Sequence, residues 1–226
     1  MSKQSSVGKL RVLIGCEYSG RVRDAFIALG HDAMSCDLLP SDTEGPHYQG
    51  DVLDVLDDGW DLAIFHPVCT YLTISAEWCY TEKAGLKVKP GTLFGAARKE
   101  ARKEAIAFTE KLWLSKIKRV ALENPVGVLS TQSCLGKPTQ IIHPNQYGHD
   151  ASKRTCLWIR GLMPLRPTKL IEPRWVDGKP RWANQTDSGQ NKLGPSKDRA
   201  HKRSLTYQGW SDAFAEQWGG DARRTA

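Results

Sequence analysis

Two short segments, around residues 69 and 123, hold the residue types from which a nucleophilic site with acid–base help can be assembled. The first reads His66-Pro67-Val68-Cys69-Thr70 and the second Glu123-Asn124-Pro125. A cysteine presented on a turn can be partly exposed and, near basic residues or helix N-termini, partly ionised; the thiolate is the attacking form. A glutamate can share or donate a proton to a heterocyclic nitrogen, and an asparagine offers an amide donor and acceptor for orientation. Each residue also has a plainer use. Most lone cysteines are small buried hydrophobes, and Glu and Asn often serve helix ends and turns. What favours chemistry is that both segments stand at the ends of apolar runs.

Three further carboxylates stand at comparable places: Glu17, Asp37 and the Asp51 of Gly50-Asp51-Val52. An acidic residue ending the second strand is the usual ribose-hydroxyl acceptor in nucleoside-binding sheets, although Asp is also common in turns for local hydrogen bonding. Residues 15–20 read Gly-Cys-Glu-Tyr-Ser-Gly, without the full Gly-x-Gly-x-x-Gly pattern, so a dinucleotide pyrophosphate would be poorly cradled. A nucleoside without phosphate makes fewer such demands, and S-adenosylmethionine suits that description.

The elements that must position these residues alternate between strand and helix. Residues 10–15 (LRVLIG) form an apolar run with the look of a buried parallel strand. Over residues 21–29, Val22, Phe26 and Leu29 fall on one helix face, with Gly30 as C-cap. Residues 33–36 and 61–65 read as a second and third strand, and 119–122 as a fourth, which Pro125 discourages from continuing. Residues 96–116 are rich in Ala, Lys and Glu, with Ala101, Ala105, Phe108 and Leu112 on one stripe, and predict a long helix. This alternation predicts an α/β fold: a mostly parallel sheet, helices on both faces, and ligands outside the carboxyl ends of the strands. Beyond about residue 135 the texture turns to Pro, Gly, Trp and basic residues. There 155–159 reads as a strand, 173–195 as loop or poorly ordered chain, and 211–218 as a closing helix. The expected division is a core over 1–134, an irregular basic region over 135–205, and a helix over 206–226 returning to the core.

With 226 residues, 40% hydrophobic and 25% charged, the chain has globular composition rather than that of a disordered or fibrous one. No apolar run approaches the roughly 20 residues of a membrane span, and the first nine residues lack the apolar stretch of a signal peptide, so cytoplasmic residence is expected. Six cysteines without a Cys-x-x-Cys pair imply reduced thiols, and neither they nor the six histidines have metal-ligand spacing. The net charge of +7 hides an asymmetry: residues 1–100 carry 10 Lys and Arg against 14 Asp and Glu, and residues 101–226 carry 22 against 11. A basic half of that size favours a polyanionic partner, the plainer alternative being a solvated basic tail.

Taken in order, these motifs resemble the cytosine C5 DNA methyltransferase superfamily, in particular its small phage-type members. Pro67-Val68-Cys69 looks like the catalytic Pro-Cys loop and Glu123-Asn124-Pro125 like the Glu-Asn-Val motif. The turn from Gly15 to Gly20 occupies the cofactor turn, Asp37 the place of the ribose-binding acid, and Gly50-Asp51-Val52 that of the adenine-contacting Asp. Further on, Tyr147-Gly148, Ser152-Lys153-Arg154-Thr155-Cys156-Leu157-Trp158 and the stretch from Arg203 to Tyr207 through Gln217-Trp218 look like the phage-type C-terminal pattern. The resemblance runs from about residue 10 to 219. One departure is Val68, which stands between the proline and the nucleophile.

The resemblance implies a Rossmann-like methyltransferase fold. S-adenosylmethionine would be held by Gly15, Glu17, Tyr18, Ser19, Gly20, Asp37, Leu38, Asp51, Val52 and Pro67. Carbon 5 of cytosine is a poor nucleophile, so a thiolate, here Cys69, must first add at carbon 6. Glu123 would protonate N3, Asn124 would hold loop and base in register, and Arg154 would stand beside the base. The target nucleotide must rotate out of the duplex at a cost of a few kcal/mol. Lys153, Arg154 and Arg160, with the cluster Lys197, Arg199, Lys202 and Arg203, would offset that cost by contacting the DNA backbone. Two other readings stay open: a catalytically degenerate binding module on the same scaffold, and a pyrimidine C5-modifying enzyme with another donor or a free nucleotide.

Overall fold

The computed structural model of the chain describes residues 8–196 and 198–220. Five parallel strands open the main sheet: β1 (Arg11–Gly15), β2 (Asp32–Asp37), β3 (His47–Gln49), β4 (Leu62–Phe65) and β5 (Arg119–Pro125). Two more strands, β6 (Gln140–Ile142) and β7 (Thr155–Arg160), complete it, with β7 antiparallel to both β5 and β6. The spatial order is β3-β2-β1-β4-β5-β7-β6. The chain reverses its winding between β1 and β4, and this switch point is where doubly wound sheets open a ligand crevice. The fold is Rossmann-like α/β, and its mostly parallel sheet is the one the alternating pattern implied.

The sheet is buried on both sides, which explains why its central strands are apolar without alternation. Val12 and Ile14 of β1, with Leu62 and Ile64 of β4, pack on one face against Val22, Phe26, Trp210, Phe214 and Trp218. The intervening Leu13, Ala63 and Phe65 face the other way, against Val52, Trp60 and Leu112. The first face is covered by α1 (Arg21–Ala28) and the C-terminal α5 (Gln208–Phe214), which continues as a π-helical turn over Ala215–Gly219. Phe214 and Trp218 stack with ring centroids 4.8 Å apart, and Trp218 Nε1 donates to the Met163 carbonyl. Burying a side chain of this size stabilises the fold by about 1.5–3 kcal/mol, so the closing helix is a structural part of the core.

The other face carries α2 (Gly95–Trp113) and the single turn α3 (Leu129–Gln132). The helix expected over 96–116 therefore ends a turn early. Arg160 explains where: its guanidinium donates to the carbonyls of Trp113, Ser115 and Ile117, satisfying acceptors that a helix end leaves open. Strand β5 runs longer than expected, through Glu123 and Asn124 to Pro125, because its neighbour β7 pairs with it along that length.

The second half is less irregular than its composition implied. Strands β6 and β7 belong to the main sheet, so the core extends past the boundary expected at residue 134. Within the stretch read as loop, Arg174–Val176 (β8) and Lys179–Arg181 (β9) form a hairpin. Asp177 and Gly178, at φ 49° and 70°, make its two-residue turn, the geometry that Asp-Gly favours. A short basic helix α4 (Arg199–Ser204) precedes α5. Among the described residues no helix is long and apolar enough to cross a membrane, and no group of three or more His, Cys, Asp or Glu could hold a metal ion.

Candidate active site

Strand β4 leads into the cysteine loop. It ends at Phe65, and the chain turns through His66, buried Pro67 and exposed Val68 to an exposed Cys69. The loop is fastened from two sides. The Asn124 side-chain amide donates to the Pro67 carbonyl at 2.8 Å. From α2, Arg98 donates to the Thr70 carbonyl at 3.1 Å and Arg102 to the Tyr71 carbonyl at 2.8 Å. Arg102 also lies 3.6 Å from the Tyr80 ring centroid, and the Tyr80 hydroxyl donates to the same Tyr71 carbonyl. Within the loop, the backbone N–H groups of Leu72 and Thr73 both donate to the Cys69 carbonyl at 3.0 Å.

Because β4 and β5 are parallel neighbours, Phe65 pairs with Leu122, and Glu123 emerges beside the cysteine loop. Glu123 Oε2 lies 3.3 Å from His66 Nδ1 and Oε1 lies 3.9 Å from Lys153 Nζ. Burial pushes the Glu123 carboxyl up, but Lys153 and then His66 pull harder the other way, and the net result lies below the ordinary 4.5. The Thr155 hydroxyl adds to that pull, although its geometry falls short of a hydrogen bond. The Cys69 thiol moves the opposite way. Crowding by the surrounding atoms and the Glu123 charge raise it above 9.0, against Lys153 and Arg203, so the resting side chain at neutral pH is the thiol. Its exposed surface tempers the effect of the crowding.

The turn after β1 stands beside the end of β4, with Gly15 paired to Phe65. Gly15 lies under the Phe65 ring: a Cβ there would meet Phe65 Cδ1 at 2.6 Å and Val52 Cγ2 at 2.8 Å. Cys16 takes φ 59°, and Glu17 N donates to the Cys36 carbonyl, which ties the turn to β2. Ser19 Oγ donates to Glu17 Oε1, while Glu17 Oε2 is buried without a partner. Gly20, at φ 75°, starts α1. At the end of β2, Asp37 accepts from Leu39 N at 2.9 Å, and burial pushes its carboxyl above 3.8 against that hydrogen bond and His47. Asp51 accepts from Leu53 N at 3.0 Å and caps a short 3₁₀ turn that contains buried Val52. Burial, and after it the charge of Asp37 with a smaller share from Asp51, raise the half-buried Cys16 and buried Cys36 thiols, Cys36 to about 12, so the two acids face one corner of the fold. Leu38 is 73% exposed beside them.

Helix α4 crosses this turn. The Tyr18 hydroxyl sits 2.9 Å from both His201 Nδ1 and Ser204 Oγ, and His201 Nε2 lies 3.7 Å from Asp42 Oδ2. Arg203 of this helix lies close enough to Cys69 to favour its thiolate. Lys202 is paired with Asp198 at 2.8 Å, and Arg199 is half-buried. Arg154 is exposed, one residue before β7 begins at the Glu123 end of the sheet. Lys197 lies outside the described residues. Arg160 is a correction. It pairs with Val120 at the far end of β5, and its guanidinium is spent on the carbonyls after α2, so it does not stand near the cleft.

His66, Arg98, Arg102 and Thr155 join the site without having been singled out in the sequence. His66 had one visible signal, a polar ring ending the apolar run DLAIF directly before a proline. The arginines of α2 had none, since in sequence they are two of several basic residues on an exposed-looking helix. A separate groove, lined by Trp60, Asp61, Lys116, Lys118 and Arg119, opens at the amino end of the sheet, away from these groups.

Fold and site together define a Rossmann-like α/β protein with a thiol and an acid at the carboxyl ends of adjacent central strands. No protein-family profile matches the chain, and no curated protein sequence matches it. Among solved structures it is similar to a protein provisionally described as a DNA modification methyltransferase, encoded within an E. coli prophage. The two are 13% identical with a TM-score of 0.42, over 72% of this chain and 52% of the other, so this chain spans about half of that protein's length.

Proposed function

We propose that the protein transfers a methyl group from S-adenosylmethionine to carbon 5 of cytosine in DNA, through a covalent adduct at Cys69. One observation carries this reading. Of the ten buried side-chain polar atoms without a partner among the described residues, five gather at one end of the sheet: Glu17 Oε2, His66 Nε2, Glu123 Oε1, Asn124 Oδ1 and Thr155 Oγ1. An unsatisfied buried polar atom costs about 1–3 kcal/mol, so such a concentration beside a thiol marks a place shaped for a polar ligand. A module that only bound DNA by charge would have no use for it.

The residues on the β1 and β2 side fit an adenosine. The free Glu17 oxygen and the Asp37 and Asp51 carboxylates supply acceptors, exposed Leu38 supplies an apolar contact, and the close packing of Gly15 under Phe65 keeps side chains out of the turn. When bound there, S-adenosylmethionine supplies an electrophilic methyl group.

The chain's own residues do the rest. Cys69, held in place by Asn124, Arg98 and Arg102, adds as thiolate to carbon 6 of the pyrimidine. Glu123, through its unpartnered Oε1, faces N3 and neutralises the charge that develops as sulfur adds. Lys153 and Arg203 assist ionisation of the thiol as the base closes the site. The basic surface around the mouth, with Lys153, Arg154, Arg199, Lys202 and Arg203, suits a DNA backbone.

The test is mass spectrometry of nucleosides from DNA incubated with the protein and S-adenosylmethionine. The expected product is 5-methyldeoxycytidine, absent with Cys69→Ala. Full transfer by Cys69→Ala, or a methyl group on an exocyclic nitrogen, would overturn the mechanism.

A further inference from the structure

Lys153 acts on both Glu123 and Cys69, yet its carboxylate contact is a loose one. Nζ lies 3.9 Å from Glu123 Oε1, too far for a hydrogen bond, and the side chain is 31% exposed. A lysine on a flexible four-carbon stem does not stay at such a place by ion pairing alone. Its other contact is aromatic. Nζ lies 5.4 Å from the centroid of the Trp210 ring, within the roughly 6 Å over which an indole face attracts a cation. We infer that Trp210 is a positioning residue, whose indole face holds the Lys153 ammonium at Glu123 and Cys69. This deepens the reading of Cys69 and Glu123 given above and rests on it for its bearing on catalysis.

The indole is itself firmly set. Trp210 is 1% exposed and belongs to the core cluster that includes Tyr147, Leu157 and Phe214. The Tyr207 ring meets it edge-on, with centroids 5.2 Å apart. Its Nε1 is buried without a partner, so packing rather than a hydrogen bond orients the ring. The chain entering α5 is tied at two further points: Arg21 donates to the Thr206 carbonyl at 2.8 Å, and Gly209 N donates to His149 Nε2 at 2.9 Å. A Cβ at Gly209 would collide with the Tyr147 carbonyl, so glycine lets α5 approach the segment that leads to Lys153. What the indole holds matters at two places. Burial pushes the Glu123 carboxyl up, and Lys153 is the first of the influences that bring it down. Crowding and the Glu123 charge raise the Cys69 thiol, and Lys153 leads Arg203 in lowering it.

The test is the rate at which iodoacetamide labels Cys69 in the whole protein, from neutral to alkaline pH, read by peptide mass spectrometry. It needs neither DNA nor a methyl donor. Glu123, Lys153 and Arg203 are the charges that face the thiol, and the inference routes Trp210 through Lys153 alone. Trp210→Leu removes the aromatic face; it is expected to slow labelling by roughly threefold near neutral pH and to move the profile to higher pH. Trp210→Phe keeps a face and is expected to restore most of the rate. In a Lys153→Met background, Trp210→Leu is expected to slow labelling no further. Loss of a buried indole can unfold the chain, so Trp210 alone is also replaced by mono-, di- and trifluorinated tryptophan. These keep the ring shape while withdrawing electron density from its face, and labelling is expected to slow stepwise with fluorine count. Unchanged labelling along the fluorine series, or equal slowing by Trp210→Leu with and without Lys153, overturns the inference while Cys69 chemistry stands. Wild-type protein that transfers no methyl group to DNA overturns the underlying reading, and the labelling series still decides whether Trp210 places Lys153.

Discussion

The side-chain amide of Asn124 donates to the Pro67 carbonyl at 2.8 Å, and this bond joins the strand that carries Glu123 to the loop that carries Cys69. Asn124 is 1% exposed, so the bond is shielded from water. Glu123 and Cys69, 54 residues apart, are therefore set by one polar contact as well as by strand pairing.

Asn124→Ala leaves the Pro67 carbonyl unpaired, at a cost of about 1–3 kcal/mol. The melting temperature is expected to fall by several degrees. Single-turnover methyl transfer is expected to fall by roughly 10²-fold, because small displacements of a nucleophile are expensive. Wild-type transfer by this variant would show that the bond does not set the loop.

Lys153→Met tests the electrostatics of Glu123. With its carboxyl below 4.5 in the folded protein, Glu123 contributes stability that is present above 4.5 and is lost as pH falls through the lower folded value. Removing Lys153 takes away the largest downward influence and leaves burial to push the carboxyl up. Circular dichroism during acid titration should show the variant unfolding at a higher pH than wild type; coincident curves would contradict the assignment.

Thiol reactivity gives an independent check on the same cluster. Glu123 raises the Cys69 thiol, while Lys153 and Arg203 lower it. At pH 8, iodoacetamide should label Cys69 faster in Glu123→Gln and more slowly in Lys153→Met, with peptide mass spectrometry separating Cys69 from the exposed Cys134. The reverse order of rates would mean that these charges do not face the sulfur.

Gly15→Ala places a methyl group 2.6 Å from the Phe65 ring. Something must move, and overpacking of this kind costs about 1–3 kcal/mol. Calorimetry with S-adenosylmethionine should show affinity reduced by about tenfold or more, with a lowered melting temperature; an unaltered isotherm would remove this turn from the nucleoside site.

Much of this arrangement could be read from residue order. Apolar runs at 10–15, 61–65 and 119–122 became adjacent parallel strands, and that alone placed Cys69 and Glu123 at one end of the sheet. Strands β3 and β6 were missed because three residues are too few to show a period. The β8–β9 hairpin was legible in its Asp177-Gly178 turn, but flanking prolines and basic residues masked the signal. Arg160 misled because its position depends on β7 running antiparallel to β5, a direction that a six-residue run does not encode. His66 and the α2 arginines acquire meaning only from distances, since a histidine or arginine looks the same in sequence whether it meets a carboxylate, a carbonyl or water.

The most direct measurement is covalent capture on duplex DNA containing 5-fluorocytosine with S-adenosylmethionine present. Fluorine at carbon 5 cannot leave as a proton does, so sulfur released only by that elimination remains attached. The account predicts a stable protein–DNA complex whose crosslinked peptide contains Cys69, and none with Cys69→Ser. A complex through another residue, or methylation of ordinary cytosine with no complex on the fluorinated strand, would contradict it.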